Sequence, residues 1–255
     1  MTAATALHRD LQSDPVDTTG PGAIGDSDLL GLLPDLFRPG SPAGTLQTVV
    51  NLARRSFGCD GAGIILTARD GSLHAAMASG GDAARADALQ VEHHQGPAVG
   101  AVAGWQPVVS AELRFDSRWR FWGPQAAELG FRSVMSLALA DGNPFGALTL
   151  YSRRPSRFGA GSAATELAFA KQASIAIAVA VEREQLVRAR DSRGIVGQAQ
   201  GILMERFGIS PDQAFAVLRR YSSHLNQKLR LVAEQVVRDR TLPDLDRIGL
   251  PTALV

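Results

Sequence analysis

The sequence predicts an α+β fold: an antiparallel sheet flanked by helices, then a long connecting helix and a C-terminal three-helix unit. Three observations carry this. Asp141-Gly-Asn-Pro144 separates the apolar runs Arg132–Ala140 and Phe145–Ser152 and reads as the turn of a hairpin. From Ser162 to about Arg190 the chain keeps helical periodicity. Three short amphipathic segments close the sequence, with Pro243 ending the last.

The elements follow in order. Residues 1 to about 40 are rich in Asp, Gly, Pro, Ser and Thr and are expected to lack fixed structure, a turn of helix at Leu29–Leu33 aside. From Gly44, the residues Leu46, Val49, Val50, Ala53 and Phe57 recur on one helical face, and Gly58 ends that helix. Ala62–Thr67 reads as a strand, Arg69-Asp-Gly71 as a turn and Ser72–Ala78 as its returning partner. Asp82–Val91 is a helix, Pro107–Ser110 a short strand, and Gln125–Leu129 a short helix ended by Gly130. On the long helix, Leu167, Ala170, Ser174, Ile177 and Val181 recur at alternating steps of three and four. That spacing suits a two-helix seam and equally a face laid on the chain's own sheet.

The chain of 255 residues is long enough for one mid-sized domain and a small one. Its formal net charge is only +1, unevenly placed. Leu186–Thr241 holds ten Lys/Arg against five Asp/Glu, and the rest holds sixteen against twenty. A near-neutral body with a basic end suits contact with a polyanion, or a solvated helical face. A lone cysteine, Cys59, excludes an internal disulfide and a cysteine metal cluster. No signal peptide and no run of about 18 apolar residues is read, so a cytoplasmic protein is expected.

The C-terminal segments hold the densest signal. The first, about Asp191–Phe207, carries Gly194, Gly197 and Gly201 on one side and stops at Gly208. A helix tolerates such weakening where something approaches its backbone, either another helix or a nucleic-acid strand. Packing against a helix is expected for at least one of the three. In the second, Ser210, Pro211 and Gln213 make a capping box, and Ala214, Phe215, Leu218 and Tyr221 form the apolar face. Asn226 is expected to cap the third helix, whose apolar face is Leu229, Val232, Ala233, Val236 and Val237.

The run Gln198-Ala-Gln-Gly-Ile-Leu-Met204, then Ala214-Phe215, Leu218-Arg219, Asn226, Leu229 and Val232-Ala233, closely resembles the ANTAR domain. That family is a three-helix RNA-binding module of bacterial antiterminators. The resemblance spans about 190–240 and implies a dimeric reader of paired RNA hairpins in leader transcripts. By position it implies Arg193, Gln198, Gly201, Arg219, Ser222 and Asn226 as RNA contacts. The arginines would hold phosphate or stack on splayed bases. Gln198, Ser222 and Asn226 would bond base edges, and Gly201 would admit a close approach. Ile202, Leu203, Phe215 and Leu218 are assigned to the core. Gln200 stands where the family often has Lys, which removes a phosphate contact.

Residues 43–185 resemble a GAF domain, a small-molecule sensing α+β fold. The resemblance rests on Cys59-Asp-Gly-Ala-Gly63, on Gly96-Pro97 before a helix, on Phe131–Leu139 and on Phe145–Tyr151. It implies a bacterial GAF–ANTAR regulator divided into a lead segment 1–40, a sensor 41–185, an RNA-binding domain 186–242 and a tail 243–255. Its ligand cannot be named. The Asn-Lys-x-Asp-Glu pattern of cyclic-nucleotide sensors is missing, and Cys59 stands at a strand start, wrong for a bilin. His93-His94 point apart and are read as a loop, not as metal or haem ligands. Trp105, Trp119 and Trp122 are expected mostly to pack a core or edge, and Asp116 and Arg118 are either a pocket rim or a surface ion pair. No cofactor, metal or catalytic residue is identified. A sensor-coupled helix-turn-helix DNA regulator is the alternative. It is disfavoured because the third helix offers only Lys228, Arg230 and Arg238 to read bases.

Overall fold

In a computed structural model, residues 26–158 and 163–242 are described, and five strands form one antiparallel sheet in the order β2-β1-β5-β4-β3. The strands are β1 (Gly61–Thr67), β2 (Leu73–Ala78), β3 (Val108–Ser110), β4 (Ser133–Asp141) and β5 (Asn143–Ser152). The expected hairpin closes tightly: Asp141 pairs with Asn143 across Gly142, whose φ of +70° a side chain resists.

The three interior strands, β1, β5 and β4, are buried on both faces, and their residues alternate between two cores. Ala62, Ile64, Met135, Leu137, Leu139, Leu148 and Leu150 face one side. There they meet α2 (Pro42–Ser56) and the start of α6 (Ala163–Phe207), with Phe57 and Phe169 in edge-to-face contact at 5.4 Å. Ser41 caps α2 by accepting from the Gly44 N–H at 3.2 Å, and Gly58 follows its end with φ +54°. Val134 and Tyr151 face the other side, under α3 (Gly81–His93) and α5 (Trp122–Glu128). Ser136 and Thr149, paired across β4 and β5, share a hydrogen bond of 2.7 Å on this second face.

Several elements depart from expectation. A helix α1 occupies Asp26–Phe37, longer than the turn expected at Leu29–Leu33, and Leu36 is buried in the first core. Between α3 and β3 stands α4 (Pro97–Gly104), the helix that the Gly96-Pro97 resemblance implied. The helix expected at Gln125 begins three residues earlier, at Trp122.

The periodic segments from Ser162 onward form one 45-residue helix, α6, and Ser162 itself lies outside the described residues. The stripe Leu167, Ala170, Ser174 and Ile177 packs on the chain's own sheet, and only Val181, 38% exposed, leaves it. One window of α6 is long and apolar enough to cross a membrane, with mean hydropathy 1.3, where none was expected. Its inner side, Phe169, Ala170, Ala173, Ala176 and Ile177, belongs to the first core, while Ile175, Val179 and Val181 stay exposed.

Two compact units divide the chain, 1–181 and 182–255. In the second, the end of α6, α7 (Pro211–His224) and α8 (Leu229–Asp239) close over Ala199, Leu203, Ala214, Leu218, Tyr221, Val232, Ala233 and Val236. The expected capping box is present: Ser210 accepts from the Gln213 N–H at 3.3 Å, and Gln213 accepts from the Ser210 N–H at 2.8 Å. Asn226 does not cap the last helix. Lys228 occupies that position, and Asn226 sits in the preceding turn with φ +49°. Pro243 lies outside the described residues.

Candidate nucleic-acid interface and sensor core

The three-helix core fixes which side chains of α6 can meet a ligand. With 100° per residue, Ala199 and Leu203 point inward, so Arg193, Gly194, Gly197, Gln198, Gly201 and Glu205 turn outward. All six are exposed. A Cβ added at Gly194, Gly197 or Gly201 would meet nothing within 4 Å, so the expected packing of one of them against a helix is not found. Those glycines weaken the helix without serving a packing contact among the described residues.

Phe215 also departs from its assignment. Leu203 and Leu218 are fully buried and Ile202 half-buried, but Phe215 is 40% exposed. It lies one turn before Arg219 and two before Ser222, so the three share a flank of α7. Ser222 is half-buried and donates to the Gln227 carbonyl at 2.6 Å, closing the turn into α8. Its lone pairs stay available as acceptors. Gln200, at a position where the resembled family often has Lys, donates to the Pro211 carbonyl at 3.1 Å and so ties α6 to the start of α7.

The charge is unevenly matched. Arg188, Arg190 and Arg230 pair with Glu184, Asp191 and Glu234. Among the described residues, Arg193, Arg219, Arg220, Lys228 and Arg238 pair with no carboxylate and are exposed. Gln198 and Gly201 come together in a groove of about 600 Å³ with Ile202, Glu205, Arg206, Val237 and Arg240. Arg193, Arg219, Ser222 and Asn226 do not line it.

The model of the GAF domain matches residues 40–178, and that of the ANTAR domain matches 184–237. The chain is a GAF–ANTAR protein. Its second unit is thus the RNA-binding domain of an antitermination regulator, and its first is a GAF sensor. No curated protein matches it. Two solved structures are similar at TM-score 0.50. One is free methionine-R-sulfoxide reductase from Neisseria meningitidis in complex with its substrate, 18% identical, over 60% of this chain and 88% of that one. The other is the GAF domain of a phosphoenolpyruvate-protein phosphotransferase from Coxiella burnetii, 15% identical, over 62% and 98%. At such identities the likeness is one of fold alone.

The GAF sheet's second face holds what sequence reasoning missed. Asp87 of α3 is fully buried there. Its Oδ1 accepts from the Tyr151 hydroxyl at 2.6 Å and from Gln90 Nε2 at 3.3 Å. Gln90 Nε2 also reaches the Tyr151 oxygen at 2.8 Å, and Gln90 Oε1 accepts from the Ala98 N–H at 2.8 Å. Asp87 Oδ2 has no hydrogen-bond partner among the described residues. It points at Gly63, where a Cβ would stand 1.8 Å away. Among the described residues no cation faces this carboxyl. Burial therefore pushes it up to about 7, against the smaller pull of the Tyr151 and Gln90 hydrogen bonds. Burial, with Asp87 beside it, holds the Tyr151 hydroxyl well above its ordinary value. The missed signal was two polar residues, Asp87 and Gln90, on the stripe that also carries Ala83 and Ala86.

The other sensor candidates are structural. Trp119 and Trp122 pack edge to face in the second core, and Trp122 Nε1 donates to the Ala86 carbonyl at 2.9 Å. Trp105 is 51% exposed. Arg118 pairs with Asp116 at 2.6 Å, donates to the Val109 carbonyl at 2.6 Å and lies over the Trp119 ring, so the pair clamps a loop. The Arg118 hydrogen bond holds the Asp116 carboxyl down at about 2. His93 contacts Gln125 at 2.8 Å, and His94 ends α3 in the left-handed region. Among the described residues no group of three His, Cys, Asp or Glu could hold a metal. Cys59 is buried, which pushes its thiol up to about 12 and makes it a poor nucleophile.

Proposed function

We propose that the protein stabilises paired-hairpin antiterminator structures in leader transcripts, under control of its GAF domain. What carries this reading is the outward side of the ANTAR helices. Arginines without carboxylate partners stand there beside a glycine-flattened helix surface, with none of the described residues within 4 Å of where the glycine side chains would begin. Arg193 and Arg219 would bind phosphate or stack on splayed bases. Gln198, Ser222 and Asn226 would bond the edges of unpaired loop bases, which a duplex hides, and Gly201 would let the strand approach.

The active form in this reading is a homodimer, because two hairpins need two readers. Support comes from α6, which leaves Ile175 and Val179 about half exposed, one turn apart, with Leu186 beyond them. The same helix belongs to the sensor at one end and to the ANTAR core at the other, so a change at the sensor could alter the spacing of two ANTAR units. The sensor is taken as 41–185 and the RNA-binding domain as 186–242, acting in the cytoplasm without catalysis. The test mixes full-length protein with tandem-hairpin RNAs and with plain duplex of equal charge across a salt series. Loop-dependent binding that survives the highest salt is expected. Equal binding to both RNAs at every salt concentration would remove the proposal.

A further inference from the structure

We infer that the groove between α6 and α8 is a slot for one unpaired nucleobase bearing an exocyclic amine. This rests on the RNA-binding reading and adds to it a specific subsite. Half-buried Ile202 and Val237 form an apolar wall suited to the flat face of a base. At Gly201 the α6 surface is flat, since even a Cβ would project into open space. A ring can therefore lie against the helix backbone there. The polar groups stand on the rim. The exposed carboxylate of Glu205 only accepts hydrogen bonds, so it favours an edge that donates, and an exocyclic amine supplies one. The Gln198 amide both donates and accepts, and can complete contact with such an edge. Arg206 donates to the Arg240 carbonyl at 2.6 Å, which fixes its guanidinium at the mouth beside Arg240.

Glu205 pairs with no cation among the described residues, and it repels phosphate. Its position makes sense when the group that reaches it is a base edge and not the backbone. The volume, about 600 Å³, exceeds what one base needs and leaves room for its ribose.

The experiment uses full-length protein and hairpin RNAs of one stem with loops of adenosine, cytidine or uridine, because only uridine lacks the amine. The wild type should bind the adenosine or cytidine loop more tightly than the uridine loop, by about tenfold. Glu205→Gln should erase that preference. Gly201→Leu should fill the slot and reduce all loops to the uridine affinity, with the salt slope kept. Gly201→Leu replaces an exposed helical glycine, so its thermal melt should not fall. Wild-type loop binding that is indifferent to the amine, or left unchanged by Gly201→Leu, overturns the slot. A wild type that ignores loops altogether instead overturns the RNA reading beneath it.

Discussion

Asp87→Asn should reverse sign with pH. A carboxyl held at about 7 in the fold and 3.8 in the unfolded chain binds its proton more tightly when folded. The fold is then least burdened below pH 3.8 and loses stability as pH rises through 7. The loss follows from the shift, roughly 4 kcal/mol in all and roughly 2–3 kcal/mol between pH 5 and 8. Asparagine keeps the acceptor for the Tyr151 hydroxyl and cannot ionise. It places an amide N–H₂ where Oδ2 had no partner, at a cost of about 1 kcal/mol. The variant should therefore be slightly less stable than wild type near pH 4 and more stable by roughly 3 kcal/mol at pH 8. Urea unfolding followed by tryptophan fluorescence measures this on the sensor alone, because Trp105, Trp119 and Trp122 all lie in that unit. Other titrating groups are common to both proteins and cancel in the difference. Parallel stability curves from pH 5 to 8 would refute the isolated buried acid.

Gly63→Ala drives a Cβ to 1.8 Å from Asp87 Oδ2 and should destabilise the sensor by about 1–3 kcal/mol; adding Asp87→Ala should recover part of that loss in the same urea assay. Gln200→Lys should steepen the salt dependence of RNA binding by about one phosphate contact. It also gives up the hydrogen bond to Pro211, so thermal stability should fall by less than about 1 kcal/mol. Val179→Glu places a charge on the half-exposed stripe of α6 and should leave a monomer in sedimentation, with the sensor's urea midpoint unchanged. Asn226→Gly keeps the left-handed turn and removes the amide, so hairpin affinity should fall while the ANTAR helices melt as before.

What could be seen in the sequence was what local chemistry decides. The turn at Asp141–Pro144 and the capping box at Ser210 are each set by a few adjacent side chains, and both stand as expected. The same holds for the apolar faces of α7 and α8, apart from Phe215. Residues whose role depends on distant packing were harder. Phe215 fits the apolar period of α7, but no element among the described residues covers its flank. The helix α4, Pro97-Ala-Val-Gly-Ala-Val-Ala-Gly104, has small apolar residues all round and so no periodic stripe to read. Asp87 and Gln90 look like an ordinary polar side of α3 until Tyr151, sixty-odd residues later, is seen above them.

Asn226 shows how a residue type can be recognised and its role still mistaken. Asparagine ranks high both as a helix cap and in the left-handed conformation, for the same reason: a short amide that bonds nearby backbone. The sequence favours the cap, because an apolar helix follows. The chain needs two more residues, Gln227 and Lys228, to turn from α7 into α8, and the Ser222 bond to the Gln227 carbonyl fixes that turn. Asn226 then takes the strained position and Lys228 the cap. The amide of Asn226 is thereby left exposed instead of being spent on a helix end. A capping asparagine would have its oxygen engaged by helix N–H groups; an exposed one in a turn keeps both amide groups unspent.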